Sequence, residues 1–435
     1  MNAIAWRDTL VPPERPEIRS LPGRVQDPFD GFFAGRDGRS PEDGDLLDLP
    51  AARQWLDVVK WGTRTGLYTY QQAFERVDGA HVVLEGRRLL MLSSYDYLGL
   101  RGHPEVNAAA IDAVRSHGTG TGGVRLLTGT CQLHRDLEAD LAALKGTEAA
   151  LAFSSGYAAN VGVISALFGP RDLVLADEFA HRSILEGCRV GGVPVRTFRH
   201  NDPASLRELL ERTRGTRRRL IAVEGVYSMD GDICPLPEIV ALRDEHRAFL
   251  LVDEAHALGM VGATGRGVHE RFGLPGTSVD LWTGSLSKAI PASGGYVAGA
   301  QELVIYLQHG TAPFMFSAAL APSSAAAARA AIALMLREPE RLARQTRAGA
   351  QLRDGLAAMG WDTGTSMSSL VPVIVESDWA AYDLARRLLD EGVFATAIVP
   401  PAVAPRRARL RLCVGAAHSE DDVAEAVRAF DAVRA

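Results

Sequence analysis

The chain has 435 residues, 47% hydrophobic and 23% charged, and its 47 Lys+Arg against 53 Asp+Glu give a formal net charge of −6. That balance excludes the basic excess expected of a nucleic-acid or anionic-membrane binder, and no apolar run approaches the ~20 residues of a bilayer span. What remains is ordinary globular composition, long enough for two domains at roughly 100–200 residues each.

Residues 1–50 are rich in Pro, Gly, Asp and Arg (PPERPEIRSLPGR, AGRDGRSPEDGD). They read as a weakly ordered extension, from which Phe29, Phe32 and Phe33 could dock on the body. Met1 to Leu10 lacks an apolar signal region, and Cys131, Cys188, Cys234 and Cys413 show neither zinc nor disulfide spacing. Both features point to a reduced, cytoplasmic protein without a metal site. Apolar and aromatic spacing predicts helix from Leu49 to Phe74, and His81 to Leu92 predicts two short strands turning at Glu85-Gly86. Residues 51–95 are expected to form this N-terminal helix and hairpin segment.

Between 96 and 335, short apolar runs alternate with helical stretches. The expected strands are Ala149–Phe153, Asp172–Asp177, Val193–Arg199, Arg219–Val226, Ala248–Ala255, Leu281–Leu286 and Gly294–Gly299. Several are apolar throughout, as in strands buried on both faces, which predicts a mainly parallel sheet covered by helices. An alanine-rich stretch, Ser317–Leu336, predicts helix. Strands at Val371–Val375 and Ala408–Val414 and a helix at Ser419–Val433 then suggest a smaller domain over 336–435.

The only lysines are Lys60, Lys145 and Lys288; all other basic residues are arginine. A retained lysine raises the question of what arginine could not do there. One answer is to form a Schiff base, because an amine can lose its proton in a protein and a guanidinium cannot.

Four segments carry chemistry. In VDEAHALG (Val252–Gly259), Asp253 ends an apolar strand, where ligands bind in open α/β folds, and His256 follows three residues on. Asp253 could hold a proton on a heteroaromatic nitrogen or simply cap the next turn. In GSLSKAIPASGG (Gly284–Gly295), Lys288 sits among small residues, a setting for a buried amine of lowered pKa. Ser285 and Ser287 nearby could bind phosphate. FSSGYAAN (Phe153–Asn160) runs from strand into helix and offers N–H groups to a phosphate monoester through Ser155, Gly156 and Tyr157. In DEFAHRSILEG (Asp177–Gly187), His181 could stack on a planar ring. GTGTGG (Gly118–Gly123) matches a dinucleotide pattern, but a predicted helix at Pro104–Ser116 precedes it, so a flexible loop is expected instead.

Together these residues resemble the fold-type I enzymes that use pyridoxal 5′-phosphate (PLP), specifically the α-oxoamine synthase family. YDYLGL, GTGTGGVRLLTGT, FSSGYAAN, ADEFAHRSI, EGVYSMDGDICPL, VDEAHALGMVGATGRGV, GSLSKAIPASGGY, FMFSAALAPS and ARLRLCVGAAHS occur in that family's order, from about Tyr95 to His418. YDYLG, GVRLLTGT, FRHND and EGVYSMDGD are most similar to bacterial serine palmitoyltransferase.

The resemblance implies an α/β fold, with a mainly parallel sheet in a large PLP-binding domain and a smaller α+β C-terminal domain. It implies Lys288 as the Schiff-base lysine, Asp253 as partner of the pyridinium nitrogen, and His181 as the stacked imidazole. His256 and Ser228 match positions near the phenolic oxygen. Ser155, Gly156, Tyr157, Ser285 and Ser287 match the phosphate cradle. Ser317 and Ala318 match a segment reaching the phosphate from a second subunit, hence a homodimer with shared sites. Arg411 matches the arginine that pairs with the substrate carboxylate, with Tyr95 also at the substrate. The implied reaction joins an amino acid to an acyl thioester, on CoA or an acyl carrier protein, with loss of carbon dioxide.

Two departures bear on substrates. Val399 stands where serine palmitoyltransferases and 8-amino-7-oxononanoate synthases usually have arginine, which argues against a long-chain acyl-CoA. Tyr95 replaces the Asn of 8-amino-7-oxononanoate and 5-aminolevulinate synthases. The motif likeness keeps a serine palmitoyltransferase-like condensation as the first expectation, with the acyl donor left open. An 8-amino-7-oxononanoate synthase, a glycine C-acetyltransferase type, or an aminotransferase or lyase of the same fold are the alternatives.

Overall fold

The computed structural model describes residues 50–434; the expected extension, with Phe29, Phe32 and Phe33, lies outside them. The first helix spans Pro50–Thr65. It stops short of Phe74 because Gly66 takes φ +71° and the Leu67 and Tyr68 N–H groups both return to the Gly62 carbonyl. Three strands follow, β1 (Arg76–Asp78), β2 (His81–Leu84) and β3 (Arg87–Met91). Glu85 and Gly86 turn the hairpin with φ values of 51° and 73°, the left-handed pair that matches strand twist.

The central sheet comprises β4 (Ala149–Phe153), β5 (Leu173–Asp177), β6 (Val195–Phe198), β7 (Arg219–Glu224), β8 (Phe249–Asp253), β9 (Leu281–Ser287) and β10 (Pro291–Gly299). Their order is β4-β10-β9-β8-β7-β5-β6. β10 alone runs against its neighbours, and the pairs from β9 to β6 are parallel. Every residue of β5 and β7 is buried, because separate apolar clusters pack on the two faces of the sheet. The alanine-rich helix begins at Pro322, not Ser317. Proline suits a helix's first turn, and the residues before it bridge from Ala318 to Val124 beside the glycine loop.

The C-terminal part holds β11 (Leu370–Ile374), β12 (Val393–Phe394), β13 (Ala397–Ile398) and β14 (Arg409–Cys413). β11, β14 and β13 form one sheet, whereas β12 runs parallel to β3 and completes the N-terminal hairpin's four-stranded sheet. Along β14 the sequence alternates. Leu410 and Leu412 enter a core shared with the helices Glu340–Ala358, Asp378–Asp390 and Glu420–Ala432. Arg409, Arg411 and Cys413 lie on the opposite face, as a period of two demands. No helix among the described residues is long and apolar enough to cross a membrane.

Candidate active site

Asp253 ends β8, opposite Glu224 of β7 and Thr283 of β9. Its Oδ1 accepts the Ala255 N–H at 2.9 Å, and its Oδ2 accepts Asn160 Nδ2 at 2.6 Å. Asn160 projects from the helix Gly156–Leu167, whose N-cap is Ser155. The same amide nitrogen donates to Ser183 Oγ at 2.9 Å, and Ser183 Oγ lies 2.7 Å from His181 Nδ1. His181 is thus tied to Asp253 through two small polar side chains, a network that fixes orientation because each buried group needs its partner. Glu224 is buried beside this network, and burial, then the Asp253 and Asp177 carboxylates, push its carboxyl well above the usual range. His181 keeps solvent-accessible surface yet is closely surrounded. Burial lowers its pKa, Asp253 opposes this, and Lys288 adds to it.

Lys288 follows β9 directly. Burial lowers its pKa; Asp253 and Glu224 oppose, and Arg411 adds to the lowering. The β9–β10 turn beside it meets the start of the Gly156 helix. A Cβ on Gly295 would lie 2.2 Å from the Gly156 nitrogen, and one on Gly156 would lie 3.0 Å from Ser285 Cβ. Glycine is therefore required where backbone crosses backbone, and this brings Ser155 and Gly156 against Ser285. Ser285 Oγ and Ser287 Oγ stand 2.7 Å apart, and Ser155 Oγ caps the Ala158 N–H at 3.0 Å. Tyr157 is 48% exposed.

Arg411 enters from β14. Its Nη2 donates to Tyr95 Oη and its Nη1 to the Ser228 carbonyl at 3.5 Å, while its buried Nε has no hydrogen-bond partner. The guanidinium lies 4.7 Å from the Tyr95 ring centroid, and Lys288 Nζ lies 5.8 Å from the same point. Arg411 is 7% exposed and has no ion-pair partner among the described residues. A buried cation facing only neutral groups is costly unless a ligand brings the counter-charge. His256 Nδ1 is 2.7 Å from Tyr97 Oη. Burial, then the Lys288, Arg411 and His181 charges, push the imidazole well below its ordinary pKa, so it is neutral. A cavity of about 420 Å³ opens from Lys288 and Tyr95 toward Gln72, Ser94, Arg101 and Thr396.

The sequence-derived residues Lys288, Asp253, His256, His181, Arg411, Tyr95, Ser228, Ser155, Gly156, Ser285 and Ser287 thus surround one crevice. Ser317 and Ala318 instead lie beside Val124, and no hydrogen bond joins them to these groups within one chain. Sequence reasoning missed Asn160, Ser183, Tyr97 and Glu224. Asn160 had a signal, being the one strongly polar residue facing inward from the apolar stretch GYAANVGVISAL.

The family model for aminotransferases of class I and II matches residues 87–430. The 8-amino-7-oxononanoate synthase of Thermoanaerobacter pseudethanolicus is 40% identical over 390 residues, covering 89% of this chain and 98% of that protein. Its namesake from Geobacter sulfurreducens is 44% identical over 368 residues, covering 84% and 94%. Among solved structures, serine palmitoyltransferase from S. paucimobilis, with a bound PLP–myriocin aldimine, superposes with a TM-score of 0.86 at 34% identity, covering 89% and 98%. The chain belongs to the PLP-dependent α-oxoamine synthases.

As an α-oxoamine synthase it is an acyltransferase that acts on an amino acid with PLP as cofactor. The crevice fits that group. It offers an amine of lowered pKa, a carboxylate fixed by Asn160, and the Ser285 and Ser287 hydroxyls packed beside the N-terminus of the Gly156 helix. Those donor types match an aldehyde, a ring nitrogen and a phosphate monoester in turn.

Proposed function

We propose that the chain condenses an amino acid with an acyl thioester, with loss of carbon dioxide, to give an α-amino ketone. PLP, when bound, supplies an electron-accepting ring that stabilises a carbanion at the amino-acid Cα. Lys288 Nζ would hold the cofactor and would be the base placed to carry the Cα proton. Asp253 would hold a proton on the ring nitrogen, and His181 would pack against the ring. His256 and Ser228 would serve the phenolic oxygen, and Ser155, Gly156, Tyr157, Ser285 and Ser287 would hold the phosphate. Arg411, with Tyr95, would take the amino-acid carboxylate and so orient the substrate for reaction at Cα. The observation that carries this is the buried Arg411 guanidinium without a counter-ion, beside an amine of lowered pKa.

The relatives' identities favour an 8-amino-7-oxononanoate synthase over a serine palmitoyltransferase, although the sequence motifs pointed first to the latter. That name fixes the substrates by carbon count. A nine-carbon acid with a ketone at C7 and an amine at C8 arises from alanine and a seven-carbon dicarboxylic acyl thioester. The cavity suits such a donor, since Phe74, Val82, Met91 and Phe394 offer an apolar wall for its methylenes while Gln72, Ser94, Arg101 and Thr396 offer polar partners for its distal carboxylate. Val399 lies in the C-terminal core. A second copy of the chain would bring Ser317 and Ala318 to the phosphate and cover Phe316 and Leu127, 80% and 77% exposed in one chain. The test is mass spectrometry of products from alanine, serine and glycine crossed with seven-carbon dicarboxylic acyl-CoA and palmitoyl-CoA. The nine-carbon amino ketone should dominate. Preference for serine with palmitoyl-CoA would restore the serine palmitoyltransferase reading.

A further inference from the structure

The turn between β7 and the next helix holds two carboxylates that face opposite ways. Val226 and Ile233 close it with a bridge, and the Gly231 N–H returns to the Tyr227 carbonyl at 2.8 Å. Gly231 has φ +72°, and a Cβ there would lie 2.2 Å from the Leu370 carbonyl, so the turn is pressed against the C-terminal sheet. Asp232 looks back to the central sheet. Its Oδ2 accepts His200 Nε2 at 2.7 Å, and His200 Nδ1 lies 2.9 Å from Asp177 Oδ1. Asp230 looks to β14, where its Oδ1 accepts Arg409 Nη1 at 2.7 Å; the same nitrogen donates to the Met229 carbonyl at 2.8 Å. The Gly231 carbonyl also accepts from Met367 N–H at 3.1 Å and Ser368 Oγ at 2.7 Å.

Arg409 and Arg411 share one face of β14 and donate to successive carbonyls of this turn, Met229 and Ser228. Their difference lies in the partner. Arg409 is neutralised by Asp230, with side-chain exposures of 3% and 9%, whereas Arg411 has no carboxylate. We propose that Asp230 and Arg409 are positioning residues for amino-acid recognition: the pair locks β14 to the turn and so sets the angle at which the Arg411 fork meets a carboxylate. A fork contact needs both N–H groups in line, and hydrogen bonds weaken steeply off axis. Losing Asp230 also frees a second buried cation two residues from Arg411, and losing Arg409 leaves a buried carboxylate that repels the substrate's own. This inference rests on the assignment of Arg411 to the amino-acid carboxylate.

The experiment titrates the PLP-loaded full chain with L-alanine and with L-alaninol, which keeps the amine and lacks the carboxylate, following the visible cofactor band. Asp230→Asn and Arg409→Met should each raise the L-alanine Kd about tenfold while leaving that of L-alaninol within about twofold. Asp230→Glu should recover most of the loss, and the double variant should bind L-alanine no worse than either single one. Equal weakening of both ligands, or no change in either, overturns the proposal. Arg411→Met is run beside them. If it leaves the ratio of the two Kd values unchanged, the carboxylate assignment falls, and the clasp with it. If it collapses the ratio while Asp230→Asn and Arg409→Met do not, the clasp alone falls.

Discussion

The Asn160 amide nitrogen sits between Asp253 Oδ2, at 2.6 Å, and Ser183 Oγ, at 2.9 Å. It thereby couples a carboxylate at a strand end to the loop that carries His181. Asn160→Ala should leave the fold intact and weaken PLP binding by about tenfold, because a charged hydrogen bond contributes ~1.5–3 kcal/mol. Equilibrium titration of the apoprotein with PLP measures it. Unchanged affinity would show that Asp253 needs no such support.

Burial lowers the Lys288 pKa from an ordinary value of 10.5. The fraction of free amine at neutral pH is correspondingly raised. Capture of the PLP aldehyde by apoprotein should therefore speed up as pH rises and level off below 10.5. Stopped-flow absorbance across pH 6–10.5 reads this directly. Lys288→Ala should abolish the imine band and lower turnover by at least about a thousandfold. A midpoint at or above 10.5 would mean that the amine is not perturbed.

Burial alone would lower the His200 pKa, but the hydrogen bonds its ring N–H groups donate to Asp177 and Asp232 outweigh it and raise it to about 10. A folded-state pKa above the unfolded one contributes stability that is full below pH ~6.5 and is lost as pH climbs through about 10. The Tm gap between the native chain and His200→Gln should thus be widest near pH 6 and shrink steadily toward pH 10. A gap that grows with pH would contradict the charged state.

Lys145 Nζ lies 3.1 Å from Glu254 Oε2 with both side chains fully buried, off line for a full hydrogen bond to that oxygen, so the attraction is chiefly ionic. Lys145 also donates to the Arg266 carbonyl at 2.6 Å and lies 4.9 Å from the Trp282 ring centroid. Burial pushes Lys145 down and Glu254 up, each opposed by its partner. Lys145→Met should cost ~3–5 kcal/mol by leaving a buried charge unpaired, and adding Glu254→Leu should recover much of it. Denaturant unfolding of the two variants decides this.

That lysine marks a limit of sequence reasoning. Scarcity drew attention to Lys288, but it applies equally to Lys145, whose compact ammonium is used for packing beside Trp282. The central strands were legible because strands covered on both faces are apolar throughout, as β5 and β7 are. β1 was not, since Arg76, Val77 and Asp78 are all exposed. The first helix was read too long because nothing in the apolar spacing announces the left-handed turn at Gly66. Lys288, Asp253 and His181 stood out by residue type and placement. Asn160, Ser183 and Asp230 did not, because small polar side chains acquire meaning only from neighbours distant in sequence. Arg409 was half visible: RLRLC announces two arginines on one face, but not which of them is already neutralised.

β12 adds its two residues to the hairpin made near the start of the chain, and the cavity beside Lys288 is walled by Tyr70, Met91 and Phe394 together. During synthesis the crevice around Asp253 can therefore assemble while the substrate channel still lacks a side. Nascent chains stalled before residue 393 should already bind PLP, yet fail to exclude water from the donor's path. Productive chemistry waits on late segments, β12 closing over the earliest hairpin and β14 bringing in Arg411.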